Sequence, residues 1–201
     1  MPKLKVMLAP LTLALAIAGC NQQGSDATPS AENSMAVMAS DAVSDAAADV
    51  KEAVTPTPTG QEFADKAAKS DAFEIAAAKL AKKNAASADI KSFAAMMITD
   101  HTGSTAKIKK AASAADPAIT PNPTLTDEQN QELAKLGTLT GADFDKEYAR
   151  QQVDAHDTAL ALMTLYADHG DVPTLKAAAG EIKPMVQMHL DKIKEIQAKL
   201  P

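Results

Sequence analysis

Leu175, Ala179, Ile182, Val186, His189, Ile193, Ile196 and Leu200 follow one another three or four residues apart, so a helix would carry all of them along a single stripe. A stripe of that length has to be covered by other helices, which commits the chain to a layered helical architecture. Three further segments have the same period. Ile90, Phe93 and Met97 lead to His101, and Val153 leads through His156 to Leu160 and Met163. Ala67, Asp71, Glu74, Ala78 and Ala81 form a weaker line, with Phe73 and Leu80 pulling the apolar face slightly aside. Aromatic residues make up only 3% of the 201 residues while Ala and Met are abundant, which favours helix over sheet.

The ends of these segments are marked by capping chemistry. Thr59-x-x-Glu62 has the form of a capping box and predicts a first helix to about Asn84. Ser87 opens a second that reaches about Ala114, before Pro117. Residues 115–140 hold Pro117, Pro121 and Pro123 and then a short helix capped by Thr126 or Asp127. A connection this long between long helices is expected where the chain crosses the length of a bundle. Thr140, with Asp143 three residues on, opens the third long helix, which closes at His169-Gly170 with His169 as a helix-end cation and Gly170 as a C′ glycine. The fourth begins after Asp171 and Pro173 and runs to Leu200. Pro184 inside it opposes the carbonyl of Gly180, which predicts a kink between the two. The fold expected for residues 60–201 is an all-α antiparallel four-helix bundle.

The N-terminal part reads differently. Residues 1–19 pair Lys3 and Lys5 with an apolar run from Val6 to Ala18, too short to span a bilayer and typical of a signal segment. Ile17-Ala18-Gly19-Cys20 resembles a bacterial lipobox, which predicts acylation of Cys20 and accounts for the single cysteine. Acyl chains contribute about 0.8 kcal/mol per buried methylene, so a multiply acylated Cys20 would hold the chain at a membrane. Asn21 favours the outer membrane, facing the periplasm, if the host is Gram-negative. Residues 20–59, rich in Ala, Ser, Asp, Thr and Pro, are expected to be a flexible tether. Loss of the signal segment takes two lysines and no acid, moving the formal charge from −6 to −8. So acidic a chain is a poor partner for nucleic acid.

Three of the four histidines, His101, His156 and His189, therefore interrupt apolar stripes on three different helices, and Glu74 does so on the fourth. At 1.5 Å per residue, and if the crossover returns the chain to the end of the first turn, all four stand roughly 17–22 Å along the bundle and would share one layer. Buried imidazoles and carboxylates without partners cost several kcal/mol, so these groups must satisfy one another, a bound ion or water. Imidazoles with one carboxylate suit a single transition-metal ion, Zn, Cu, Fe or Mn, rather than Ca or Mg. Met97 and Met185 lie one turn before His101 and His189, which is compatible with Cu(I), although thioethers more often fill core gaps. Asp100 and Asp157 adjoin two of the histidines; carboxylates so placed can orient a ring, although solvated surface carboxylates are the more common case and are expected for both.

Ser87 to His101 with Phe93-Ala94, Met97 and Asp100-His101, then Gly141-x-x-Phe144-Asp145 with Tyr148 and His156, then Pro184 followed by His189-Leu190, resemble a bacterial family. It is catalogued as a domain of unknown function, numbered four-one-four-two, and its members are labelled outer-membrane proteins and grouped with ferritin-like folds. The resemblance covers Gln61 to Leu200 and implies a ferritin-like bundle whose shared polar centre is Glu74, His101, His156 and His189. Di-iron ferritin-like sites need Glu-x-x-His on two helices. Here Ile98 and Val186 stand three residues before His101 and His189, so a di-iron ferroxidase is not expected. No Ser-containing elbow or Gly-rich phosphate loop supports another enzyme class. Two readings stay open: an envelope lipoprotein that binds a transition metal at Glu74, His101, His156 and His189, and a non-enzymatic structural or interaction lipoprotein whose interior histidines form only a satisfied polar layer.

Overall fold

The computed structural model describes residues 56–201. The signal segment, Cys20 and most of the tether lie outside the described residues. Five helices follow one another: α1 Gly60–Asn84, α2 Ala88–Ser113, α3 Asp127–Thr138, α4 Gly141–His169 and α5 Pro173–Gln197. None of these helices is long and apolar enough to cross a membrane.

Local chemistry sets most of the boundaries. Thr59 and Glu62 form the full capping box at the start of α1, and Thr126 with Gln129 forms a second one at α3. Ser87 accepts a bond from the Ile90 amide at the start of α2. Two expectations fail. Thr140 makes no side-chain cap at α4, and Gly170 closes α4 at φ −58 rather than in the left-handed region. Glycine is needed at Gly170 for a different reason, because a Cβ there would stand 2.6 Å from the Tyr166 carbonyl oxygen. The left-handed position is instead Gly141, φ 66, at the start of α4. Helix α5 is continuous through Pro184.

Contacts at the ends of the helices fix the connectivity. Past the end of α2 the chain folds back over the start of α1: the Ile119 amide donates to the Ala112 carbonyl, Gln61 donates to the Thr120 carbonyl, and Asp65 accepts from the Asn122 amide. Helix α3 then carries the chain along the outside of the bundle. Gln129 reaches the Lys69 carbonyl on α1, and Lys135 pairs with Glu147 of α4 at 2.9 Å. Leu136 is fully buried beneath it. The chain thus arrives back at the α1–α2 turn, where Ala85 pairs with Gly141. Asp145 of α4 accepts bonds from the Ala86 and Ser87 amides at 3.1 and 2.8 Å. From there α4 descends until Tyr166 stacks on Phe63 of α1, ring centroids 3.9 Å apart. Helices α1 and α4, α1 and α2, α2 and α5, and α4 and α5 pack side by side, each pair antiparallel. One long crossover between two antiparallel pairs is a known bundle connectivity.

The core is divided. Near the α1–α2 turn lies one apolar cluster with Ala77, Ala81, Ile90, Phe93, Met97, Leu136, Phe144, Tyr148, Ile193 and Ile196. Near the other end lies a second with Phe63, Ala67, Ile108, Ala112, Met163, Tyr166, Leu175, Ile182 and Val186. Each fully buried Leu, Ile or Phe side chain contributes about 1.5–3 kcal/mol. Between the clusters every long helix passes through one polar level.

Candidate metal centre

That level is built from one position per helix. Glu74, His156 and His189 are fully buried and His101 is 2% exposed. The three imidazole centroids form a nearly equilateral triangle with sides of 5.7 Å (His101–His156), 5.3 Å (His101–His189) and 5.5 Å (His156–His189). One ring nitrogen from each histidine lies within 4.8 Å of those of the other two. Nitrogens bound at ~2.0 Å to a tetrahedral ion stand about 3.3 Å apart, so ring movements of roughly 1 Å each would close the set. Phe93 forms a wall, its ring 6.3 and 6.1 Å from those of His156 and His189.

Each imidazole is tied on its other side. His101 Nδ1 is 2.8 Å from Asp71 Oδ1, His156 Nδ1 is 2.8 Å from the Gln152 carbonyl oxygen, and His189 Nε2 is 2.9 Å from Asp100 Oδ2. The three acceptors have no proton to give, so in each case the ring N–H donates. The remaining nitrogens, Nε2 of His101, Nε2 of His156 and Nδ1 of His189, have no hydrogen-bond partner among the described residues, and neither does either oxygen of Glu74. Buried polar atoms without partners are rare in folded proteins. Imidazoles that donate one N–H outward and keep the other nitrogen's lone pair free are the usual form of histidine metal ligands. The donor set therefore fits a transition-metal ion.

The charges have a second accommodation. Glu74 Oε2 approaches His101 Nε2 to 2.6 Å, an ion-pair distance that is not aligned as a hydrogen bond, and Glu74 Oε1 is 3.7 Å from His156 Nδ1. Burial pushes the Glu74 carboxyl up, but the charges of His101 and His156, with the His101 contact and His189, outweigh it and bring it down to about 2. Burial lowers His101, yet the Glu74 charge and the Asp71 and Glu74 contacts raise it to about 10. Without metal the pair is held as imidazolium and carboxylate. His189 moves the other way, lowered by burial against the pull of Asp100. Asp71 is raised by burial, with His101 opposing.

All four predicted centre residues come together. His169 does not: it is the last residue of α4 and exposed. Met97 is buried in one apolar cluster and Met185 packs against the other. Asp157 is a surface carboxylate paired with Lys194 at 3.1 Å. Asp100 is not. Its side chain is 30% exposed, and it bonds His189 across the α2–α5 seam instead of standing free in solvent. The sequence reading assigned no role to Asp71, which is 4% exposed and accepts from both His101 and Thr105. The available signal was spacing: Asp71 and Glu74 share a helix face at i, i+3, as His101 and Thr105 do at i, i+4.

The protein family described as a domain of unknown function (DUF4142) matches residues 43–196. The chain belongs to this family. No curated protein sequence matches it. Among solved structures, the DUF4142 chain is similar to CopM in the Cu(II)-bound form, with 18% identity and a TM-score of 0.60 over 71% of this chain and 98% of that one. It is also similar to CopM in the Cu(I)-bound form, with 19% identity and a TM-score of 0.57 over 69% of this chain and 94% of that one. At these identities the likeness establishes the fold.

Proposed function

We propose that this DUF4142 chain binds one transition-metal ion, copper in the first instance, through His101, His156 and His189 with Glu74 beside them. The observation that carries the reading is the set of three buried imidazoles, each donating one N–H outward, with the inward nitrogens of His156 and His189 unpartnered and that of His101 met only by Glu74. Imidazole donors suit Cu and Zn, and divalent affinity rises toward Cu along the first row. The similar CopM structures, copper-bound in both oxidation states, favour copper further. The expected signal segment and acylated Cys20 support a membrane-tethered protein of the cell envelope that holds or hands on metal. Nothing in the centre calls for catalysis.

The test is stoichiometry. Metal-free protein titrated with Cu(II), Cu(I) and Zn(II) is expected to retain one copper per chain through gel filtration, and His101→Ala/His156→Ala/His189→Ala is expected to retain less than a tenth of that. Equal, negligible copper in both proteins sinks the reading.

A second reading rests on a specific observation of its own. His101 stands between Asp71 at 2.8 Å and Glu74 at 2.6 Å, so as an imidazolium it is paired on both sides without any ion. In that case the layer only sets the register of the helices in a structural or interaction lipoprotein. The unpartnered nitrogens of His156 and His189 weigh against it, because that arrangement leaves both unexplained.

A further inference from the structure

The carboxylates behind the imidazoles define what such a centre would prefer. Asp71 Oδ1 accepts from His101, and its Oδ2 lies 2.9 Å from the Thr105 hydroxyl, which stands equally close to the His101 carbonyl oxygen. Accepting the His101 N–H at 4% exposure, Asp71 acts on the centre with a charge that solvent screens poorly. Asp100 holds His189 at 2.9 Å, and Glu74 meets His101 Nε2 at 2.6 Å. Among the described residues no lysine or arginine pairs with any of the three; their only ionic contacts are the histidines.

Resting on the metal reading above, we propose that Asp71 and Asp100 are positioning residues that fix which nitrogen His101 and His189 present and, together with Glu74, bias the centre toward divalent over monovalent copper. Three carboxylates around three neutral rings leave one net negative charge with a dication and two with a monocation. In a buried setting, where charges interact more strongly than in water, the second case is disfavoured. The outward bonds also dictate a mixed set of donors. His101 and His156 present Nε2, because their Nδ1 protons go to Asp71 and to the Gln152 carbonyl, whereas His189 presents Nδ1 because Asp100 takes its Nε2 proton. The His156 tie is to a neutral carbonyl, so the charge bias is carried by Asp71, Asp100 and Glu74.

Asp71→Asn and Asp100→Asn keep an acceptor oxygen and remove the charge. Wild type and both variants would be loaded with one equivalent of copper. Cu(II) and Cu(I) affinities would be measured separately, by competition with chelators specific for each state. The midpoint of the one-electron step, Cu(II) taking an electron from an electrode to give Cu(I), would be read by voltammetry. Both variants are expected to keep one copper, while the ratio of Cu(II) to Cu(I) affinity falls at least tenfold and the midpoint rises by at least 59 mV, the one-electron equivalent of that change. Nitrogen-15 spectra of the Zn(II)-loaded wild type are expected to show His101 and His156 bound through Nε2 and His189 through Nδ1. If the buried Asp71→Asn variant does not fold, Asp100→Asn at its half-exposed position carries the measurement. A wild type that takes up no copper brings down the metal reading and this inference with it. A copper-loaded wild type whose folded variants keep its affinity ratio within twofold, or one in which His189 binds through Nε2, overturns this inference alone.

Discussion

His101 decides the behaviour of the centre toward protons, because it is held as a cation between Asp71 and Glu74. Its value is raised in the folded state, so the stability it contributes is fully present below the ordinary histidine range and is lost as pH climbs through about 10. Glu74 is depressed, so its contribution is present above the ordinary carboxylate range and is lost as pH falls through about 2. Metal-free protein is therefore expected to resist urea best between the ordinary carboxylate and histidine ranges, and to lose resistance progressively above that window toward pH 10 and below it toward pH 2. Glu74→Gln is expected to show a smaller alkaline loss, because the main cause of the raised His101 value is gone. Denaturation midpoints measured across pH check this; a midpoint that stays flat from pH 7 to 9, or an alkaline fall equally large in Glu74→Gln, would contradict it. A metal must displace the His101 proton, so binding at neutral pH is expected to release about one proton per ion and to strengthen with rising pH. The histidines were legible in the sequence because an imidazole on an apolar stripe breaks a pattern. Asp71 and Asp100 were not, because their partners lie on other helices and a carboxylate next to a surface looks the same whether it is solvated or bonded.

Among the elements, α2 depends on its neighbours more than its own sequence indicates. Ser87 caps it locally, but the preceding amides of Ala86 and Ser87 are satisfied by Asp145, 59 and 58 residues along the chain on α4. Asp145 is 3% exposed, so Asp145→Ala strips two sheltered donors of their acceptor and removes the bond joining the α1–α2 turn to α4. A loss of about 2–3 kcal/mol is expected from an equilibrium urea unfolding curve, combining the loss of a cap with unsatisfied buried groups. A cost below about 0.5 kcal/mol would show that water replaces Asp145 freely. The caps Thr59 with Glu62 and Ser87 could be read in advance because donor and acceptor lie three residues apart, while at α3 the choice between Thr126 and Asp127 was decided by the Thr126–Gln129 box. The Asp145 cap exists only once the crossover has returned the chain, and at α4 the anticipated Thr140 cap gives way to the backbone contact between Ala85 and Gly141.

For the whole molecule the governing fact is that the apolar core comes in two parts with the centre between them. A ligand bound to the folded state alone stabilises it by about 2.7 kcal/mol at a hundredfold excess over Kd. For a domain of this size that raises Tm by roughly 5–10 °C. The expected result is a copper-dependent rise of that order in wild type and none in the triple histidine variant, read by calorimetry. Amide exchange should slow in both halves of the bundle together. Slowing confined to one half would mean that the centre is not the joint between them.

Because all four long helices run unbroken from one cluster to the other, the polar level is a waist in four continuous rods. Each half-rod is only about as long as the dozen or so residues below which an isolated helix is marginal in water, so neither half can stand without the other. An event at the waist is then felt at the two tips, the Phe63–Tyr166 stack at one end and the Ala85–Gly141 junction at the other. A fully buried centre can in this way make its state readable from outside the molecule.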